Sequence, residues 1–162
     1  MDRRRFCLEL LGTGAAVGGL APFVAAAPPL TESTTKKIQW NGNLKTAHKL
    51  AIEQDKPLLI VFGASWCTWC HKLEREALSD KRITAVIERD FIPVHLDFDR
   101  DAKVAKILEV ERLPCTVILS PQADLLLKHE GYAEYKEYQQ ALQTALDKRA
   151  EIQQVRNADT TR

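Results

Sequence analysis

The chain has 162 residues, enough for one domain with a sizeable core and hardly enough for two. Its hydrophobic fraction of 45% and charged fraction of 28% are ordinary for a folded globular domain, which sets aside a disordered or fibrous chain. A formal net charge of +1 makes no electrostatic case for nucleic acid or an anionic membrane surface.

Residues 1–26 have the parts of a secretory signal peptide. Arg3, Arg4 and Arg5 form a basic start, a stretch rich in Gly, Ala and apolar residues follows from Phe6 to Val24, and Val24 and Ala26 suit the two small-residue positions of a cleavage site. Paired arginines ahead of Phe6 resemble a twin-arginine export signal, from which Asp2 and Glu9 depart. The alternative is an uncleaved anchor holding the domain to the outer face of the inner membrane. Cleavage after Ala26 would leave 20 basic and 20 acidic side chains and three cysteines, Cys67, Cys70 and Cys115. The expected location is therefore the periplasm. There cysteines persist as disulfides unless something reduces them, so a pair plus one left over is a functional clue.

Residues 27–37 read as a flexible, polar, Pro/Thr-rich lead-in, and 38–152 as the folded domain. A weak strand is expected over 36–40. Asn43 can cap a helix over 44–54, which Lys56-Pro57 stops. Residues 58–62, LLIVF, form a wholly apolar run, as expected of a central strand covered on both faces. Helices follow over 67–78 and 82–89, then a strand over 91–98 and a helix over 101–110. A hairpin is expected from 115–119 and 125–129, its turn made by SPQAD. A long amphipathic helix over 134–152 ends the domain, leaving 153–162 as a polar, frayed tail. Strands separated by helices, with a late hairpin, predict an α/β fold: a mixed central sheet with an antiparallel edge, flanked by helices.

Chemistry concentrates in SWCTWCHK, residues 65–72. C-x-x-C can be a redox dithiol, C-x-x-C-H can anchor a c-type haem, and two Cys with a His can hold a metal. The setting favours the dithiol. Cys67 falls where a buried strand runs into a helix N-terminus, whose free N–H groups and dipole favour a thiolate, and such positions lower a thiol from about 8.5 to roughly 3.5–7.5. Cys70 is one helical turn on, close enough to close a short disulfide and to resolve a mixed disulfide made by Cys67. Haem attachment is disfavoured because the only Met is Met1 and the motif follows a strand. A copper chaperone needs further soft or imidazole ligands, and His48, His95 and His129 lie in unrelated elements.

KPLLIVFGASWCTWC, followed further on by RLPCTVIL, resembles the thioredoxin superfamily. More narrowly, residues 51–80 are similar to exported thioredoxin-like domains related to the C-terminal domain of DsbD. The resemblance implies a thioredoxin-like fold over 38–152 and a thiol–disulfide oxidoreductase. Cys67 would be the nucleophile and Cys70 the resolving thiol. Pro114 would be cis and shape a substrate groove with Leu113 and Trp66. It implies no cofactor and no metal, a monomer, protein disulfides as substrates, and a membrane or soluble thiol protein as electron donor. Thioredoxins carry a buried Asp six residues before the first Cys; here that position is Val61. Glu74 could take its proton-carrying part, while Trp69 and His71 could tune the site. Cys115, after the proline, is expected to pack as a small hydrophobe facing away from the dithiol, the sharper alternatives being a third redox thiol or a metal ligand. The readings that compete with catalysis are a metal chaperone using Cys67, Cys70 and a third ligand, and a non-catalytic binding module.

Overall fold

A computed structural model describes residues 37–160. The signal-like segment and most of the lead-in fall outside them. The elements are α1 (Leu44–Gln54), β1 (Leu58–Gly63), α2 (Thr68–Glu76), α3 (Lys81–Asp90), β2 (Ile92–Asp97), α4 (Ala102–Ile107), β3 (Cys115–Leu119), β4 (Leu125–Glu130) and α5 (Tyr135–Thr160). They occur in the order the sequence predicts. The Asn43 side chain accepts from the Thr46 N–H at 3.1 Å and starts α1, while Asp80 caps α3 in the same way.

The sheet runs β2-β1-β3-β4. β1 pairs parallel with β2 and antiparallel with β3, and β3–β4 is the antiparallel hairpin at the far edge. All six residues of β1 are buried, which explains its lack of polar alternation. Leu59 and Val61 face the layer formed by α2, α3 and α5, packing with Leu73, Ile83, Ile87 and Tyr138. Leu58, Ile60 and Phe62 face α1 and α4, against Ala47, Ala51, Ala105 and Val110. β2 is an edge strand, so Pro93 costs it no ladder bond to a further strand. Among the described residues no helix is long and apolar enough to cross a membrane.

Three expectations are corrected. The described part of the stretch expected as a strand, residues 37–40, makes none; the chain contributes one parallel bridge just after it, Asn41 to Val94, close to a buried Ile38. The helix expected over 101–110 stops at Ile107, because Glu109 takes a left-handed backbone (φ 54°) that redirects the chain. The polar stretch after Ile152 is helical as far as Thr160. Arg156 holds it down, donating to both carboxylate oxygens of Asp124 at 2.8 Å and to Gln122 in the β3–β4 turn. Composition alone reads such a segment as frayed, since the anchoring partner lies more than thirty residues away.

Candidate active site

The end of β1 delivers the chain into a tight turn, closed by the Cys67 N–H donating to the Ala64 carbonyl at 3.0 Å. Cys67 is the N-cap of α2, with extended backbone (φ −88°, ψ 98°), and its Sγ accepts from the Cys70 N–H at 3.1 Å. A sulfur in that position meets the unsatisfied amides and the positive end of the helix dipole, the local electrostatics that favour a thiolate. Cys67 and Cys70 form a disulfide with Cα atoms 5.3 Å apart. Both are nearly buried, in a small apolar cluster with Ala64 against which Phe98 and Leu113 pack.

A cleft of about 330 Å³ opens over Cys67. Trp66, Thr68 and Trp69 line it from the α2 side, and Phe98, Glu111 and Leu113 from the loops that follow β2 and α4. Trp66 is 64% exposed, and its indole N–H donates to Asp99 at 2.8 Å, which fixes the ring as one wall. Trp69 is 56% exposed and packs on Tyr132, with the Lys72 ammonium 5.1 Å and 4.4 Å from the two ring centres. The Tyr132 hydroxyl donates to Glu76, and this bond pushes the phenol up to about 12. The Leu113–Pro114 peptide is cis, and Pro114 is buried behind the cleft.

The structure thus brings Cys67, Trp66, Trp69 and Leu113 together at one opening, with Cys70 beneath. Three other residues singled out from the sequence lie elsewhere. His71 is exposed on α2, its Nε2 3.0 Å from the Ser65 carbonyl. Glu74 lies a turn further along α2, 3.2 Å from His95 on β2 and 3.8 Å from His71. Cys115 is wholly buried on the opposite face of the sheet, among the side chains that pack on α1 and α4. Sequence reasoning missed Phe98, Asp99, Glu111 and Tyr132, which come from separate loops and carry no local motif. Among the described residues no three His, Cys, Asp or Glu side chains converge in an arrangement that could hold a metal.

Burial raises the Cys115 thiol to about 11, and the nearby Glu130 carboxylate adds to the effect. The folded state therefore holds this proton more tightly than the unfolded chain, whose thiol titrates near 9.0. Stability should fall as pH rises from about 9 towards about 11. Alkaline denaturation followed by circular dichroism should show a shallower loss over that interval in Cys115→Ala than in the unaltered protein. Native Cys115 should also resist a thiol reagent that modifies it once guanidinium is added.

The matching family model is described as a thioredoxin-like domain and covers residues 44–146. Human spermatogenesis-associated protein 20 is 28% identical over 80 residues, 49% of this chain and 10% of that protein. Thiol:disulfide interchange protein DsbD 1 of Pseudomonas aeruginosa is 30% identical over 69 residues, 43% of this chain and 12% of that protein. The chain thus spans only about a tenth of the length of these curated relatives. Among solved structures, DsbH oxidoreductase superposes with a TM-score of 0.63 at 17% identity, over 83% of this chain and 95% of that one. A thioredoxin from Thermus thermophilus gives 0.63 at 20%, over 68% and 88%. At these identities the two structures speak for the fold alone. The family match and the C-x-x-C pair held as a disulfide at a helix N-terminus support thiol–disulfide oxidoreductase chemistry in general terms. The chain belongs to the thioredoxin-like domain family.

Proposed function

We propose that this chain is an exported thiol–disulfide oxidoreductase that reduces or exchanges disulfides of other exported proteins through Cys67 and Cys70. The observation that carries the reading is the placement of Cys67: at the N-cap of α2, with an amide aimed at its sulfur, at the floor of an aromatic-walled cleft. In the reduced protein the Cys67 thiolate attacks a partner disulfide, one partner sulfur leaves, and a mixed disulfide forms. The Cys70 thiolate then attacks Cys67 Sγ, closing the Cys67–Cys70 bond and releasing the second partner sulfur. Two electrons pass from the dithiol to the partner, which takes up two protons.

Trp66 and Leu113 give an extended partner segment apolar walls on either side of Cys67, and the exposed Trp69 widens that surface. Return to the reduced state calls for an electron-donating thiol protein, soluble or membrane-held. The basic start, apolar stretch and Val24/Ala26 pair support export to the periplasm, by cleavage after Ala26 or with the segment kept as an anchor.

The reduced protein should convert the disulfides of insulin to thiols stoichiometrically, with loss of its own Cys67 and Cys70 thiols. Cys67→Ser should do so slower by roughly 10³-fold or more, because the nucleophile is gone. Equal rates for the two proteins would overturn the proposal.

A further inference from the structure

Resolution of the mixed disulfide requires Cys70 to lose a proton, and Cys70 is nearly buried in an apolar cluster, a setting that favours the neutral thiol. A nearby group must take that proton. Val61, on the central strand, offers none. In the parallel pairing of β1 with β2 the residue beside Val61 is His95, so its side chain falls on the same face of the sheet, the face on which α2 lies.

The His95 Nε2 atom is shielded from solvent and has no hydrogen-bond partner, although the side chain as a whole is 34% exposed. Buried polar atoms are normally satisfied, so an orphaned ring nitrogen calls for an explanation. Its surroundings supply one. A methyl group placed on the Gly63 α-carbon would lie 3.4 Å from His95 Nε2 and 3.7 Å from Cys70 Cβ, so imidazole and cysteine flank the same small gap. Glu74 Oε1 is 3.2 Å from Nε2 but out of hydrogen-bonding alignment, and its other oxygen is 3.8 Å from His71. Trp40 packs edge-on against the imidazole with ring centres 5.6 Å apart, which fixes its plane.

We infer that His95 is the proton acceptor for Cys70 and that Glu74 is its positioning residue. With the ring proton on Nδ1, the free Nε2 lone pair takes the Cys70 thiol proton, directly or through one water. The Cys70 thiolate attacks Cys67 Sγ, the Cys67–Cys70 bond forms, and the bond from Cys67 to the partner breaks. The electron pair leaves on the partner sulfur, which the imidazolium then protonates. In the reverse direction the imidazolium protonates Cys70 as it leaves the opening disulfide. The Glu74 carboxylate stabilises the imidazolium in both directions. Among the described residues, Glu74 lies against the imidazole, Cys70 borders the same gap at Gly63, and His71 meets Glu74 from the other side.

This inference rests on the dithiol reading above, and the experiment separates the two. Reduced protein is mixed with Ellman's reagent: the first thionitrobenzoate reports attack by Cys67, the second reports resolution by Cys70. Failure of the unaltered protein to release the second thiolate would sink the dithiol reading itself. Given that release, His95→Gln should leave the first step within about twofold and slow the second about 10²-fold, in keeping with general-base catalysis. The second step should also lose the pH dependence that the unaltered protein shows. Gly63→Ala is a second variant that keeps His95. Its methyl would make only ordinary van der Waals contacts, so the fold should survive while the gap is filled and resolution slows. His95→Gln resolving at the unaltered rate, or slowed with its pH dependence intact, would overturn the assignment.

Discussion

Cys70→Ala should arrest the protein with its partner attached. Attack by Cys67 needs only the α2 N-terminus and the cleft, both of which the variant keeps, whereas release needs a second sulfur one helical turn away. Removing that sulfur should leave mixed disulfides on Cys67, stable until an external thiol reaches them, and lower turnover by roughly 10³-fold. The check is a non-reducing gel of periplasmic extract exposed to the reduced variant. Discrete bands that collapse on adding dithiothreitol, and that vanish when Cys67→Ser is combined with Cys70→Ala, are expected. No bands with either variant would count against exchange with exported proteins.

Phe62→Ala should carry the largest stability loss of any single truncation near the site. Phe62 is fully buried on β1, in the cluster that packs on α1 and α4, and lies opposite Cys115 in the sheet. Removing a buried aromatic ring forfeits its transfer free energy and leaves a cavity the surrounding strands fill only partly, about 3–5 kcal/mol in total. That is a large share of the stability of about 5–15 kcal/mol typical of such domains. Urea denaturation should show a lower midpoint with an unchanged slope. A loss below about 1 kcal/mol would mean this face of the sheet is less tightly packed than described.

Much of the architecture is written in local patterns. The apolar LLIVF run marks the buried central strand, Asn43 sits where α1 needs its cap, and SPQAD makes the hairpin turn. The dithiol was legible for the same reason, because its chemistry depends on a three-residue spacing at a strand–helix junction. What stayed hidden depends on register and distance. Val61 reads as a missing group until β2 is seen to place His95 beside it, and Glu74, a candidate proton carrier by its spacing from Cys70, is tied to that imidazole only once α2 sets it 3.2 Å away. The cleft wall from Phe98 and Glu111 is assembled from separate loops, so no spacing announces it. The helical 153–160 segment was obscured in the same way, its anchor being Asp124 in a distant turn.

The direction of electron flow is the central claim, and the reduction potential of the Cys67–Cys70 pair tests it most directly. Equilibration against glutathione and dithiothreitol buffers, with the thiol state read by alkylation and mass, gives that potential. A reductant of exported disulfides should lie near the thioredoxin value of about −270 mV, whereas a value near about −120 mV is that of a strong oxidant and would contradict the account.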